Sequence, residues 1–317
     1  MGVTGSFTSE SDGAGRFVRQ QSAFRDRVTA DGSSGFPAAA GRYHLYVSLA
    51  CPWAHRAVIV RELKGLQDAI GMTIVDPIRA ELGWRFRPGS GSEAHPGEAD
   101  PLHGWSYLSE GYTISNPAFT GRVTVPVLGD TETGRIVNNE SADIIEMLAS
   151  EFDAVAGDPS LDLAPAELAE EMAALNDRIY EHVNNGVYKT GFSSPQEAYE
   201  EAVGPLFEGL DELDARLADR RYLLGDRLTL ADWRLFTTLV RFDAVYVGHF
   251  KCNVRRIADY EHLSGYLRDL YQHPGVAPTV DLVHIKRHYY ETHTGINPTG
   301  SVPVGPVRDL DAPHGRG

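Results

Sequence analysis

The fold is best read from residues 42–54, which have the sequence RYHLYVSLACPWA. Residues 42–48 are rich in β-branched and aromatic residues, which is typical of a buried strand. From Ala54 to Lys64 the apolar residues recur at helical spacing, and Pro52 suits the first turn of a helix because its missing N–H would be unpaired there anyway. The stretch therefore predicts a strand, a turn that carries Cys51, and a helix.

Strand and helix patterns continue towards the carboxyl side. A second strand is predicted at 72–77, a hairpin at 124–130 and 134–138, and a helix from Glu140 to Leu148. The segment between them, 83–116, is rich in Gly, Pro, Ser and His and too long for an ordinary connection, so we expect a functional or packing excursion there. The first half thus follows the order βαβ…ββα.

The second half of the chain has helical periodicity alone. It begins after an acidic linker that contains Pro159 and Pro165. The predicted helices cover 165–185, 195–218, 229–246, 258–272 and 279–290.

The 317 residues suffice for two domains with cores of their own. The amino-terminal segment has neither helical nor strand periodicity, and the carboxyl-terminal segment is rich in Pro and Gly. We therefore predict an α/β domain followed by an all-α domain, with boundaries at 1–41 for an extended arm, 42–155 for the α/β domain, 156–294 for the helical domain and 295–317 for a tail.

Composition limits the partners of the chain. The 29 Lys and Arg against 44 Asp and Glu give a net charge of −15, which repels nucleic-acid phosphates and anionic membranes. No stretch approaches the roughly 18 apolar residues of a membrane span, and the amino terminus has no apolar signal-peptide core. We expect a cytoplasmic protein that binds neither nucleic acid nor membrane.

The two cysteines, Cys51 and Cys252, form neither a disulfide framework nor a metal-binding spacing. A thiolate at Cys51 would be stabilised by the dipole and the unpaired N–H groups of the helix that starts there, as a nucleophile requires. The alternative is a buried cysteine that acts as a small hydrophobe. Nothing near Cys252 indicates reactivity, so we expect a structural role for it.

Pro126 lies within an otherwise good strand pattern at 123–128. Proline removes a hydrogen-bond donor from a strand, and a cis Val125–Pro126 bond would explain its presence. The Val125 N–H and C=O would then be offered to an extended thiol peptide. The alternative is an edge-strand proline without functional meaning.

The helix that follows Asn138 starts with Glu140 and Ser141. Its N–H groups and the Ser141 hydroxyl could hold a carboxylate, while Glu140 accepts from an ammonium group. Alternatively, these residues simply cap the helix. His284 and His288 have helical zinc-ligand spacing, but no glutamate stands between them as in H-E-x-x-H, so we predict no metal.

Four further motifs identify a family. They are SLACPWAHR at 48–56, LGWRF at 82–86, GRVTVPVL at 121–128 with NES at 139–141, and HYY at 288–290 with INPTG at 296–300. Together they resemble the glutathionyl-hydroquinone reductases, the Xi class of glutathione transferases, over about residues 36 to 311. The resemblance implies a thioredoxin-like domain followed by a helical glutathione-transferase domain, glutathione as co-substrate, an aromatic thiol conjugate as substrate, and a homodimer.

The resemblance also implies roles for individual residues. Cys51 matches the nucleophile, and Tyr188 matches a catalytic phenol that donates a proton. The residues that match the thiol-peptide site are Trp84, Arg122, Val123, Thr124, Val125, Glu140 and Ser141. Those that match the aromatic-substrate pocket are Tyr188, Tyr246 and Tyr289, which by themselves are typical core or surface tyrosines.

Ala54 stands where a resolving cysteine would stand in a dithiol oxidoreductase, which favours a monothiol route through a mixed disulfide on Cys51. Alternatives are an omega-like thiol transferase that reduces dehydroascorbate or mixed disulfides, and a non-catalytic binding protein with this fold. The chain uses arginine far more than lysine, which suggests high-GC coding. Some high-GC lineages use mycothiol in place of glutathione, so this thiol stays an alternative, although Glu140 and Ser141 favour glutathione. The sequence does not name the quinone.

Overall fold

The computed structural model describes residues 2–5 and 10–316. Residues 1, 6–9 and 317, which belong to the predicted arm and tail, lie outside the described residues. The chain forms two compact units. The first contains Gln20–Asp162 and Pro278–Thr292 with residues 2–5, and the second contains Glu10–Arg19, Leu163–Ala277 and residues 293–316.

The strands belong to the first unit. They are β1 (Val3–Thr4), β2 (Tyr43–Val47), β3 (Ile70–Ile74), β4 (Gly121–Arg122), β5 (Val127–Asp130) and β6 (Arg135–Asn138). A four-stranded sheet has the order β3-β2-β5-β6, in which β2 and β3 are parallel and β5 is antiparallel to both of its neighbours. Strands β1 and β4 form a separate parallel pair.

The helices alternate with the strands at first and then follow one another. They are α1 (Pro52–Leu63), α2 (Ser109–Ser115), α3 (Ser141–Ser150), α4 (Ala169–Ile179), α5 (Gly186–Phe192), α6 (Gln196–Arg216), α7 (Leu230–Arg241), α8 (Leu263–Tyr271) and α9 (Leu282–Thr292). The predicted order βαβ…ββα is confirmed by β2, α1, β3, β5, β6 and α3. The predicted helical half is confirmed as well.

Helix α1 is buried on most of its surface, including Ala57, Ile59 and Val60, and it packs against α3. It ends where Gly65 adopts a φ of 63°, a left-handed conformation that glycine takes without steric cost. Helix and sheet together hold the amino-terminal end of α1 and that of α3 in the same unit, and both ends carry predicted site residues.

Part of the predicted arm is held by hydrogen bonds within the first unit. Asp26 N–H donates to Val137 O at 3.1 Å, and Asn139 N–H donates to Phe24 O at 3.1 Å. Arg25 forms an antiparallel bridge with Asn138 at the outer strand β6. Residues 24–26 therefore pair with the edge of the sheet beside α3.

Three details of the predicted elements differ from the structure. The strand expected from Thr124 begins only at Val127, because the preceding residues bond to other groups described below. The helices predicted at 165–185 and 229–246 each continue from an α-helix into a π-helical turn, at Tyr180–Asn184 and Phe242–Tyr246. Helices α2 and α5 have seven residues each, too short for a periodic signal.

The last helix, α9, corresponds to the segment predicted at 279–290 and groups with the first unit, whereas the predicted helical domain runs to residue 294. The contacts explain this grouping. The His288 ring lies 4.9 Å from the Trp84 ring in a stacked arrangement, and its Nδ1–H donates to Pro77 O at 2.7 Å. Within residues 2–5 and 10–316, no helix combines the length and apolar character that crossing a bilayer demands.

Candidate active site

Cys51 is the N-cap residue of α1, and its side chain is partly exposed. Its N–H donates to Ser48 O at 3.0 Å, which closes the turn between β2 and the helix. The Sγ lies 3.5 Å from Val125 O. The helix-start placement predicted from Pro52 is confirmed, and the thiol is accessible as a nucleophile requires.

The Val125–Pro126 peptide bond is cis, as predicted. The Val125 side chain is buried, and its C=O faces the Cys51 thiol. Among the described residues, nothing accepts a hydrogen bond from the Val125 N–H. A donor and an acceptor of the backbone are thus available beside Cys51, which is the arrangement that an extended peptide needs for strand-like pairing.

A buried tyrosine holds the residues before Val125. Tyr112 Oη donates to Thr124 O at 2.8 Å and accepts from Thr124 N–H at 3.2 Å. Asn139 Nδ2 donates to the same phenolic oxygen and to Thr124 Oγ1, each at 3.1 Å. Burial raises the pKa of Tyr112, so its hydroxyl stays protonated and remains a donor. Sequence reasoning missed Tyr112 because it lies on the short helix α2.

Glu140 is the N-cap residue of α3, and its side chain accepts from Ala142 N–H at 3.1 Å through Oε1. Glu140 therefore does cap α3, as one of the two interpretations of the sequence expects. Its other oxygen, Oε2, accepts from Ser22 Oγ at 2.9 Å. A carboxylate offers about four lone-pair positions, so these two hydrogen bonds leave capacity for an ammonium group.

Ser141 is buried at the first position of α3, and its Oγ accepts from Arg56 Nη1 at 3.4 Å. Among the described residues, the Ser141 N–H donates no hydrogen bond. This donor, next to the positive end of the helix dipole, suits a carboxylate. Arg56, one turn into α1, was not predicted as a site residue.

Gln20 from the arm fixes the backbone of Arg122. The Arg122 N–H donates to Gln20 Oε1 at 2.7 Å, and Gln20 Nε2 donates to Arg122 O at 3.1 Å. Next along the chain, the Val123 N–H donates to Thr4 O at 3.0 Å. One amide side chain and strand β1 thus hold residues 122–123 in place ahead of Val125.

Trp84 is 3% exposed, and its indole N–H has no partner among the described residues. The preceding residue, Gly83, has a φ of 98°, and a Cβ there would lie 2.9 Å from the Cβ of Val123. This close approach brings Trp84 to the segment that leads to Val125. A buried, unpaired indole N–H is costly unless a ligand accepts from it, which favours a binding role.

Two of the three predicted pocket tyrosines lie together in the second unit. The rings of Tyr188 and Tyr246 are 6.3 Å apart, and each lies 5.5 Å from the ring of Phe250. Both tyrosines are buried. The third, Tyr289, is a buried residue of α9 in the first unit, and its ring lies 5.2 Å from that of His288.

Three further residues considered in the sequence analysis, Cys252, His284 and His288, contact other parts of the protein. Cys252 is fully buried in the second unit, and burial raises the pKa of its thiol, which opposes thiolate formation. His284 Nε2 lies 2.9 Å from His95 O, and His288 Nδ1 donates to Pro77 O. In the described part of the chain, no three His, Cys, Asp or Glu side chains are grouped as metal ligands.

Two family models match the chain. The model described as "Glutathione S-transferase, N-terminal domain" matches residues 50–151, and the model described as "Glutathione S-transferase, C-terminal domain" matches residues 196–269. A protein of Escherichia coli (strain K12) named glutathionyl-hydroquinone reductase YqjG is 51% identical over 309 residues, which cover 95% of this chain and 92% of that protein.

Solved structures show the same relationship. A Xi-class glutathione transferase from Natrialba magadii is 52% identical, with a TM-score of 0.89 over 92% of this chain and 88% of that one. The glutathione-bound structure of YqjG from Escherichia coli K-12 is 51% identical, with a TM-score of 0.87 over 92% and 96%. The predicted thioredoxin-like domain followed by a helical transferase domain is confirmed. The chain therefore belongs to the glutathione transferases, in the Xi class of glutathionyl-hydroquinone reductases.

Proposed function

We propose that this chain uses glutathione to remove the glutathionyl group from glutathionyl-hydroquinones. The observation that carries the proposal is the Cys51 thiol at the start of α1, beside the Val125 carbonyl and the unpartnered Val125 N–H. This geometry suits the pairing of a glutathionyl backbone with Val125, which brings its sulfur to Cys51. The name of the relative from Escherichia coli supports the same activity.

The proposed reaction starts at Cys51, and Tyr188 enters it as the proton donor that the family resemblance implies. The Cys51 thiolate attacks the sulfur of the conjugate, so that an S–S bond forms and the bond between sulfur and ring carbon breaks. The electron pair of that bond stays with the ring, which takes a proton from the Tyr188 hydroxyl. A second glutathione thiolate then attacks the mixed disulfide and frees Cys51. The products are one hydroquinone and one oxidised glutathione: the thioether sulfur of the conjugate and the sulfur of one free thiol end joined as a disulfide, and the ring carbon is reduced from C–S to C–H.

The first unit holds the peptide through complementary groups. The Glu140 carboxylate accepts from the γ-glutamyl ammonium, and the Ser141 N–H donates to the γ-glutamyl carboxylate. The Trp84 indole N–H provides a further donor for a carboxylate or carbonyl of the peptide, and Arg122 is included because it matches the thiol-peptide site of the family. Val123 and Thr124 position Val125 through their bonds to Thr4 and Tyr112.

Glutathione rather than mycothiol is the proposed thiol. An ammonium and a carboxylate on one carbon suit Glu140 and Ser141, whereas a sugar-based thiol has no such zwitterionic end. The related structure from Escherichia coli contains bound glutathione. Comparing turnover of one menadiol conjugate with each thiol tests this choice, and efficient turnover with mycothiol alone would refute it.

The function itself is tested with the Cys51→Ala variant and a glutathionyl-menadiol conjugate. We expect wild-type protein to release menadiol and oxidised glutathione, and Cys51→Ala to release neither. Cys51→Ser should be nearly inactive because an alkoxide is not formed at neutral pH. Cys252→Ser is the matched control, since it alters the buried second thiol, and it should retain activity. Turnover by Cys51→Ala would exclude the proposed mechanism.

The homodimer and the cytoplasmic location are part of the same proposal. The homodimer rests on the usual pattern of the family, and the location stays the expectation already stated in the sequence analysis. Light scattering coupled to size-exclusion chromatography tests the first, with twice the mass of 34.7 kDa expected. A monomer at micromolar concentration would overturn it.

A further inference from the structure

Arg19 of the arm lies over the face of Tyr188. Its guanidinium carbon is 4.6 Å from the centroid of the Tyr188 ring and 5.2 Å from that of Phe17. Its Nε donates to Asn185 Oδ1 at 2.8 Å. Asn185 and Tyr188 share one helical turn, because the Tyr188 N–H donates to Asn185 O at 3.0 Å. The cation is therefore anchored to the same turn as the ring that it covers.

Four aromatic rings also lie beside the Tyr188 ring. The rings of Phe17, Phe192, Tyr246 and Phe250 surround it at centroid distances of 5.5 to 6.3 Å. The Tyr188 side chain itself is 5% exposed. In such apolar surroundings a nearby charge acts more strongly than it does in water. Elsewhere in the same unit, Glu201 pairs with Arg16 and Glu181 pairs with Lys189.

We propose that Arg19 is a positioning residue for Tyr188, which holds the ring in place and stabilises the phenolate that forms when Tyr188 gives its proton to the departing hydroquinone ring. The inference rests on the proposed function. In the step concerned, the O–H bond of Tyr188 breaks and a C–H bond forms on the ring carbon that lost sulfur. The phenolate then regains a proton from water, so Arg19 itself neither gains nor loses one.

This role makes the need for Arg19 depend on the substrate. A ring without electron-withdrawing groups carries the electron pair poorly and needs early proton donation from Tyr188. A polychlorinated ring carries the charge better and needs less help. When Cys51 attacks a small mixed disulfide, the leaving group is a thiolate, which needs no proton from Tyr188. The contribution of Arg19 to the rate should therefore be largest for the unchlorinated conjugate, smaller for the chlorinated one and absent for the disulfide.

The experiment compares Arg19→Met, Arg19→Lys and wild type on glutathionyl-hydroquinone, its polychlorinated analogue and a small glutathione mixed disulfide. Arg19→Met keeps an apolar stem of similar length but removes the charge. We expect kcat for the unchlorinated conjugate to fall by roughly tenfold, in line with a partly buried cation over an aromatic ring. The loss should be smaller for the chlorinated conjugate and absent for the disulfide. Arg19→Lys should recover most of the lost rate.

Arg16→Met is the matched control, because Arg16 is an exposed arginine of the same arm segment that pairs with Glu201. It should behave like wild type on all three substrates. Equal losses of Arg19→Met on the conjugates and on the disulfide would show a merely structural role and overturn the inference. So would a failure of Arg19→Lys to restore any activity in a folded protein.

A double-mutant cycle separates this inference from the proposed function. If Arg19 acts through the Tyr188 hydroxyl, Arg19→Met should cause little further loss in a Tyr188→Phe background. Full additivity of the two losses would overturn the inference while leaving Tyr188 as the proton donor. If Tyr188→Phe alone lost nothing on the conjugates, the proton-donor role in the proposed function would fail instead.

Discussion

Glu140 illustrates how one side chain serves the helix and the proposed ligand together. One carboxylate oxygen caps α3 through Ala142, and the other accepts from Ser22. The capping interpretation and the binding interpretation of the sequence therefore do not compete. Because the cap fixes the carboxylate, an incoming ammonium meets a group that has already lost its rotational freedom.

Replacing Glu140 by Gln should weaken glutathione binding. The substitution keeps the shape and one acceptor but removes the charge, and a hydrogen bond to a charged group is worth about 1.5–3 kcal/mol. We expect the KM for glutathione to rise about tenfold or more with a smaller change in kcat, measured by steady-state kinetics. Glu146→Gln, at an exposed position of α3 near Arg27, is the control. An unchanged KM in Glu140→Gln would argue against the ammonium site.

Tyr188→Phe should separate hydroquinone conjugates from disulfides. The change removes the hydroxyl and retains the ring contacts with Tyr246 and Phe250. A positioned general acid contributes about 10²–10⁴-fold, so kcat on glutathionyl-hydroquinones should fall by that factor while disulfide reduction barely changes. Tyr260→Phe, at another buried tyrosine whose hydroxyl donates to Asp211, serves as control. Equal effects on both substrates would favour an omega-like transferase with a packing tyrosine.

Elements whose contacts lie close together in the sequence could be predicted, whereas those whose contacts lie far apart in the sequence could not. Strand β2 and helix α1 were predictable because their pattern is local and continuous in sequence. The arm was not, since Phe24 and Asp26 bond to residues more than 100 positions away, at Asn139 and Val137. Of the site, Cys51 and Glu140 could be found from helix starts and motifs. Ser22 could not be found, because nothing in its own neighbourhood marks it as a partner of Glu140.

The arm should therefore affect thiol binding through Ser22. Ser22→Ala removes one donor to the Glu140 carboxylate, but the carboxylate keeps its charge and its bond to Ala142 N–H, so only part of the about 1.5–3 kcal/mol of a hydrogen bond to a charged group should be lost from thiol binding. We expect a rise of roughly threefold in the KM for glutathione, smaller than that of Glu140→Gln, and an almost unchanged melting temperature. Ser33→Ala, at an exposed turn of the same arm, should change neither quantity. A KM equal to wild type in Ser22→Ala would show that the arm does not position Glu140.

For the whole molecule, both units contain a buried histidine that is neutral when folded. In the first, burial lowers the pKa of His44 to about 4, and its Nε2 lies 2.8 Å from Thr73 Oγ1. In the second, burial lowers the pKa of His249 to about 4. His273 and His284 also have pKa values below the ordinary 6.5, again mainly through burial. The unfolded chain therefore binds more protons than the folded one just below pH 6.5.

Acid should consequently destabilise the protein well above the range in which carboxylates titrate. A histidine with a depressed pKa contributes stability that is present above pH 6.5 and is lost as the pH falls towards 4, by up to about 1.4 kcal/mol per pH unit for each proton. The lowered pKa values of Asp130 and Asp281 act only below their ordinary value of 3.8. We expect the melting temperature, followed by circular dichroism, to decline from pH 6.5 downwards.

His44→Gln should make that decline shallower, because it removes one of the titrating groups while keeping a polar side chain beside Thr73. A melting temperature independent of pH between 6.5 and 4.5 would mean that these histidines are charged or exposed in the folded protein, and an unchanged slope in His44→Gln would assign the acid sensitivity to the other three.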